Sequence, residues 1–160
     1  MILFAHGLEG SPQGTKVRYL RDGGLDLEAP DLQGLPLAER VARIEALSED
    51  GGLLLAGSSY GGLTAAIVAA RHPARFTGLC LLAPALLMKE PPHEPDTLRA
   101  PPDLPTIVIH GRQDDVCDIA GSVRYAERSG RHVELIEVDD GHRLVDSLPT
   151  ILEALRRLGA

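Results

Sequence analysis

The chain has 160 residues, 44% hydrophobic and 24% charged, with a formal net charge of −7. This is enough for a single domain spanning residues 1–160 with one well-buried core. Charges of both signs are interspersed without a basic block, which argues against nucleic acid and against a membrane as partners. Asn is absent and Arg far outnumbers Lys. With frequent proline, this fits a heat-adapted protein, and a GC-rich genome produces the same Arg bias. Cys80 and Cys117 belong to no Cys-x-x-Cys pair and no Cys/His cluster, so free buried thiols are expected and no metal site. The apolar start Met1–Ala5 is too short for a signal peptide or a membrane span, so the cytoplasm is the expected location.

Apolar runs alternate with amphipathic stretches along the whole chain. Ile2–Ala5 is expected to be a short buried strand, and Thr15–Arg21 a helix ended by Gly23-Gly24. Leu25–Ala29 is a weaker strand. Leu37–Leu47 carries apolar residues at 37, 41, 44 and 47, which is helical spacing. Gly52–Ala56 is a strand, and Gly61–Ala70, apolar nearly all round, is a buried helix ending before His72-Pro73. Phe76–Leu82 is another strand. Residues 84–105 are rich in proline with charges between, and read as an excursion over the surface. Thr106–Ile109 is a strand, Ile119–Arg128 a helix, Val133–Val138 a strand and Leu148–Leu158 a closing helix. Such alternation implies an α/β three-layer sandwich, with helices on both faces of a parallel sheet. In these sheets functional groups gather at the C-terminal edge of the strands.

Three segments fall at that edge and carry chemistry. Gly57-Ser58-Ser59-Tyr60-Gly61 matches G-x-S-x-G and lies between a strand and a helix. A nucleophilic serine on a strained strand-to-helix turn needs that context. A glycine-rich chain supplies the five-residue pattern by chance readily, so the other two segments matter. His110-Gly111-Arg112-Gln113-Asp114-Asp115 follows a strand and offers a carboxylate to orient an imidazole. The Gly-x-x-Asp spacing favours Asp114, and Asp115 stays an alternative. Asp139-Asp140-Gly141-His142 follows the last strand, where His142 is placed to serve as general base. His72, His93 and His132 are less well placed: one ends a helix, one lies in the Pro-rich stretch and one begins a strand at the far edge. Acyl transfer also needs two donors for an oxyanion. The amides of Tyr60 and of Leu8, in the turn His6-Gly7-Leu8, are the candidates, with His6 orienting its own loop.

The order Ser59, Asp114, His142, with the His-Gly turn at the front, resembles the α/β-hydrolase superfamily. The likeness extends through nearly the whole chain. It is strongest to small lid-less bacterial esterases, through His6-Gly7-Leu8-Glu9-Gly10-Ser11-Pro12-Gln13. In larger members two strands precede the one bearing this loop, so the resemblance implies a minimal parallel sheet of six strands in the order 2-1-3-4-5-6. It also implies a lid reduced to residues 84–105. Cys117-Asp118 stands where family members often carry Val-Pro. The expected activity is a serine esterase mechanism on a small-molecule acyl substrate, with Leu86, Leu87 and Met88 as an acyl-pocket wall or as plain core. No cofactor is expected, and the oligomeric state is left open, a homodimer included. The rival readings are a binding module that keeps the hydrolase scaffold, and a flavodoxin-like phosphate binder using Gly7-Leu8-Glu9-Gly10-Ser11.

Overall fold

Every residue of Ile2–Ala5 is buried, yet its neighbours in sequence face opposite ways. Leu3 and Ala5 join one apolar cluster while Ile2 and Phe4 join another, as the twofold alternation of a strand requires. The computed structural model describes residues 1–160 and repeats this division in other strands. The strands are β1 (Ile2–Ala5), β2 (Leu27–Glu28), β3 (Leu53–Ser58), β4 (Phe76–Leu82), β5 (Thr106–Gly111) and β6 (Val133–Val138). They form one six-stranded sheet in the order β2-β1-β3-β4-β5-β6, and all pairings are parallel.

The helices are α1 (Thr15–Asp22), α2 (Leu37–Leu47), α3 (Tyr60–Arg71), α4 (Ala120–Ser129) and α5 (Leu148–Arg157). Helices α2, α3 and α4 bury Leu37, Val41, Leu63 and Tyr125 on the face that carries Leu55, Leu79 and Val108. Helices α1 and α5 bury Val17, Leu20, Ile151 and Leu155 on the face that carries Leu54, Cys80 and Ile109. The three-layer architecture and strand order therefore match the sequence expectation. No helix is long and apolar enough to cross a membrane.

Two expectations change in detail. The weak strand at 25–29 shrinks to Leu27–Glu28, because only a short stretch lies alongside β1 at the sheet edge. The stretch 84–105 is not simply a surface excursion. Ala85, Leu86, Ala100 and Leu104 are buried in the α2–α3–α4 cluster, and His93 is buried with its Nε2–H donating to the Leu86 carbonyl at 2.8 Å.

The topology also locates a crevice. From β1 the chain runs outward to β2, then returns to β3 on the other side of β1. Loops leaving β1 and β3 diverge at this switch point, and ligands bind there in open parallel sheets. His6-Gly7-Leu8 leaves β1, and Ser59 leaves β3.

Candidate active site

Ser59 occupies the turn between β3 and α3 with φ 57° and ψ −116°. A non-glycine residue with positive φ is strained, and such strain persists only where neighbours over-determine it. Here the Ser59 amide donates to the Leu82 carbonyl at 2.8 Å, while its own carbonyl accepts from the amides of Leu63 and Ala85. Flanking glycines make the turn sterically feasible. A Cβ on Gly57 would lie 2.2 Å from the Gly61 carbonyl oxygen, and one on Gly61 would lie 2.0 Å from that of Ala5. The pattern G-x-S-x-G is thus required here by backbone-to-backbone approach.

Around Ser59 the sequence-predicted groups meet. The His142 Nε2 lies 3.0 Å from Ser59 Oγ, and His142 Nδ1 lies 2.8 Å from Asp114 Oδ2. An ionised carboxylate can only accept, so Nδ1 carries the ring proton and Nε2 is free to accept from the serine hydroxyl. The Asp114 side chain is fully buried. Its other oxygen, Oδ1, accepts from the amides of Val116 at 2.9 Å and Cys117 at 2.8 Å. Burial pushes the Asp114 carboxyl up, but the bonds from His142 and from the Cys117 and Val116 amides outweigh it and hold the group below the usual carboxylate range. Asp115, the alternative, lines the cleft without meeting His142.

Loop placement explains this meeting. Gly111 ends β5, and a Cβ there would lie 2.2 Å from the Asp140 carbonyl oxygen. Only glycine lets the loop after β6 pass so close and bring His142 over the sheet edge. Asp140 braces that loop, accepting from the Asp146 amide at 3.0 Å and the Ser147 hydroxyl at 2.8 Å. Lys16 on α1 donates to the Arg143 carbonyl at 2.6 Å, and burial together with Arg143 holds its pKa down.

On the opposite side lie the two candidate backbone donors. Tyr60 is the first residue of α3, so its N–H has no acceptor within the helix. Leu8 lines the same cavity as Ser59 and Tyr60. The Gly7 carbonyl just before it accepts from His6 Nδ1–H at 2.8 Å and from the Gly10 amide at 3.1 Å. His6 Nε2 accepts from the Leu32 amide at 2.9 Å, which fixes its tautomer and ties the loop down.

Four residues near the site had no assigned role in the sequence reading. His110 is fully buried, with Nε2 3.1 Å from Asp114 Oδ2 and 2.8 Å from the Cys117 carbonyl, and it accepts from the Ser122 hydroxyl at 2.7 Å. It begins the His110-Gly111 pair, and a histidine at a strand end four residues before the carboxylate was the available signal. Cys117, expected to be a buried bystander, sits half-buried with Sγ 3.9 Å from Ser59 Oγ. Burial pushes its thiol pKa up. Glu90 accepts from the Tyr60 hydroxyl and from the Leu37 amide. Arg40 is wholly buried on the apolar face of α2, and that charge in an apolar stripe was its only signal.

The cleft has a volume of ≈ 1180 Å³, large enough for a drug-sized molecule. Leu8, Met88, Val116 and Val145 line it and are four of the six large apolar side chains the protein exposes. Leu86 and Leu87 line it too, and Leu86 also packs in the core. No group of His, Cys, Asp and Glu is arranged to hold a metal ion.

No family model and no curated protein matches the chain. Solved structures do. A protein of the alpha/beta hydrolase superfamily from Xanthomonas campestris is 28% identical, with a TM-score of 0.80 over 98% of this chain and 96% of that one. The monoacylglycerol lipase of Paleococcus ferrophilus is 16% identical, with a TM-score of 0.77 over 99% of this chain and 94% of its own. Mouse alpha/beta hydrolase domain-containing protein 10 is 17% identical, with a TM-score of 0.79 over 98% of this chain and 88% of its own. The last two likenesses speak for the fold alone. The six-stranded parallel sheet and its strand order, together with the likeness to the Xanthomonas protein, give the chain the fold of the α/β-hydrolase superfamily.

Proposed function

We propose that the protein is a serine hydrolase that cleaves small carboxylic esters or thioesters through an acyl-enzyme intermediate. The observation that carries this reading is the unbroken hydrogen-bonded series from Ser59 Oγ through His142 to the buried carboxylate of Asp114. Hydrolases, an esterase and lipases among the structural neighbours support ester hydrolysis in general.

In the proposed mechanism Ser59 Oγ attacks the carbonyl carbon while His142 Nε2 takes its proton. Negative charge develops on the carbonyl oxygen and is met by the amides of Leu8 and Tyr60, the latter at the positive end of the α3 dipole. Asp114 holds the imidazole in the required tautomer and stabilises its cation. His142 then gives the proton to the leaving alcohol or thiol as the tetrahedral species collapses. Water, deprotonated by the same imidazole, attacks the acyl-enzyme, and Ser59 is regenerated. The apolar side chains at the mouth suit the hydrocarbon part of the substrate.

Hydrolysis of p-nitrophenyl acetate and butyrate tests the reading, with Ser59→Ala expected to lower kcat by at least about a thousandfold. Equal rates for wild type and Ser59→Ala would refute it. Labelling of Ser59 by a fluorophosphonate without turnover of any ester would instead point to a binding protein on this scaffold.

A further inference from the structure

We propose that Arg40 is the positioning residue for both oxyanion donors, a role that rests on the reading of Ser59 as nucleophile. Its burial is the first observation. Arg40 has 0% exposure and is the largest fully buried side chain in the protein. It lies on α2 between Leu37, Val41 and Ile44, where an aliphatic residue would satisfy the core. Burying a guanidinium is costly unless its donors are used, and hydrophobic replacements of buried charges are often neutral or better for stability. A stability role alone therefore does not account for it.

Its partners do. The Nη1 donates to the His6 carbonyl at 2.8 Å, Nη2 reaches the Gly7 carbonyl at 3.5 Å, and Nε donates to the Leu35 carbonyl at 3.1 Å. These acceptors are all neutral. The guanidinium carbon also lies 4.5 Å from the centroid of the Tyr60 ring. One side chain thus touches the turn that presents the Leu8 amide and the residue that presents the other amide.

Peptide geometry turns this contact into orientation. The Gly7 carbonyl and the Leu8 N–H belong to one planar trans peptide and point in opposite directions. Three donors hold that carbonyl on the protein side: His6 Nδ1, the Gly10 amide and Arg40 Nη2. The Leu8 N–H must then face away from them, toward the cleft that Leu8 lines. Donation to the carbonyl also polarises the peptide and strengthens its N–H as a donor. At the second amide, the Tyr60 side chain is clamped between the Arg40 cation and Glu90. Arg40 therefore fixes the spacing between the two amides as well as the direction of one.

The test uses Arg40→Lys, which keeps charge without the planar fork, and Arg40→Met, which keeps bulk without charge. Wild type, both variants and Ser59→Ala are assayed with p-nitrophenyl butyrate at a temperature below every melting midpoint. Both Arg40 variants should lose about ten- to a hundredfold in kcat, with KM changing less than about threefold. Phosphonylation of Ser59 by a fluorophosphonate should slow in parallel, because its phosphoryl oxygen uses the same two amides. The midpoint of the acid limb in the kcat/KM profile should stay in place, since Arg40 touches neither His142 nor Asp114. A merely structural residue would lower the melting midpoint and leave kcat and phosphonylation unchanged, which would overturn the proposal. So would a rise in KM at constant kcat, or a displaced acid limb. If Arg40→Met does not fold, Arg40→Lys decides alone. Full activity in Ser59→Ala would instead dispose of the serine mechanism itself.

Discussion

On the β1–β3 side of Ser59 stand the turn His6-Gly7-Leu8 and the start of α3, backbone fixed by close packing and buried hydrogen bonds; on the β5–β6 side stand side chains held by hydrogen bonds. The first side relies on Gly57 and Gly61, where a Cβ would strike a backbone carbonyl, and on the buried Arg40 and His6. The second relies on Asp114, His142 and a loop braced by Asp140 and Lys16. An amide cannot be repositioned without moving the chain, so a side chain added at Gly57 or Gly61 should be felt in folding. A side chain can be replaced where it stands, so errors on the second should be felt in chemistry. Ser59 sits at the seam, strained in backbone by one side and hydrogen-bonded in side chain by the other.

The largest expected effect on the second side comes from Asp114→Asn. The amide would donate where the carboxylate accepts, forcing the wrong tautomer on His142, and kcat should fall by about ten-thousandfold. The melting midpoint near neutral pH should move far less. Asp114 also adds a pH signature. Its carboxyl is held below the usual range in the folded protein and returns to it on unfolding. The unfolded chain therefore binds the proton more readily, and the stabilisation is fully present above the unfolded value and lost as pH falls through the folded one. Asp114→Asn should flatten this acid slope in urea titrations run across the acidic range. An unchanged slope would mean that Asp114 is not the carboxylate responsible.

A pair of glycine variants breaks the comparison most directly. Gly61→Ala places a Cβ about where the Ala5 and His6 carbonyl oxygens already lie, 2.0 and 2.6 Å away. Ala5 ends β1 and His6 follows it directly, and the strand cannot retreat without unpicking the sheet, so a loss above about 4 kcal/mol is expected. Gly111→Ala meets the Asp140 carbonyl at 2.2 Å, but that carbonyl belongs to the loop after β6. The loop can shift, carrying His142 with it, and a displacement near 1 Å costs about a hundredfold in rate. Chemical denaturation paired with kcat separates the two outcomes. Equal stability losses would erase the distinction between the sides.

The same division explains what was legible in the sequence. Ser59, Asp114 and His142 each follow a strand in an expected order, so alternation of apolar runs was enough to bring them to one edge. The ambiguity between Asp114 and Asp115 could not be resolved by spacing, because it depends on which carboxylate the Val116 and Cys117 amides capture. Supporting residues were harder to see. Arg40 lies far from Gly7 in the chain, and nothing in helical periodicity says which carbonyls a buried guanidinium will reach. Glu90 sits in a Pro-rich stretch that read as surface, yet it reaches both Tyr60 and the start of α2. His110 stood in plain view beside Gly111, but its contact with Asp114 depends on the turn after β5 closing back on itself.

The mouth of the cleft is where the two sides contribute alike, and it carries the smallest expected effects. Leu8 and Met88 come from the loops after β1 and β4, and Val116 and Val145 from those after β5 and β6. Val116 is 68% exposed, so it gains little from folding, and its removal should leave the melting midpoint nearly unchanged. An apolar chain lying over it would gain about 25 cal/mol for each Å² of apolar surface removed from water. With Val116→Asp or Val145→Asp, KM should therefore rise severalfold for p-nitrophenyl octanoate and stay level for the acetate, whose acyl group is too short to reach the rim. The kcat values should change far less, since Val116 meets Asp114 only through its backbone amide, which the substitution keeps, and Val145 bonds neither Ser59 nor its partners. A uniform rise in KM across chain lengths would mean that the rim interacts with the leaving group instead. No change at any length would leave the exposed apolar collar without a part in substrate binding.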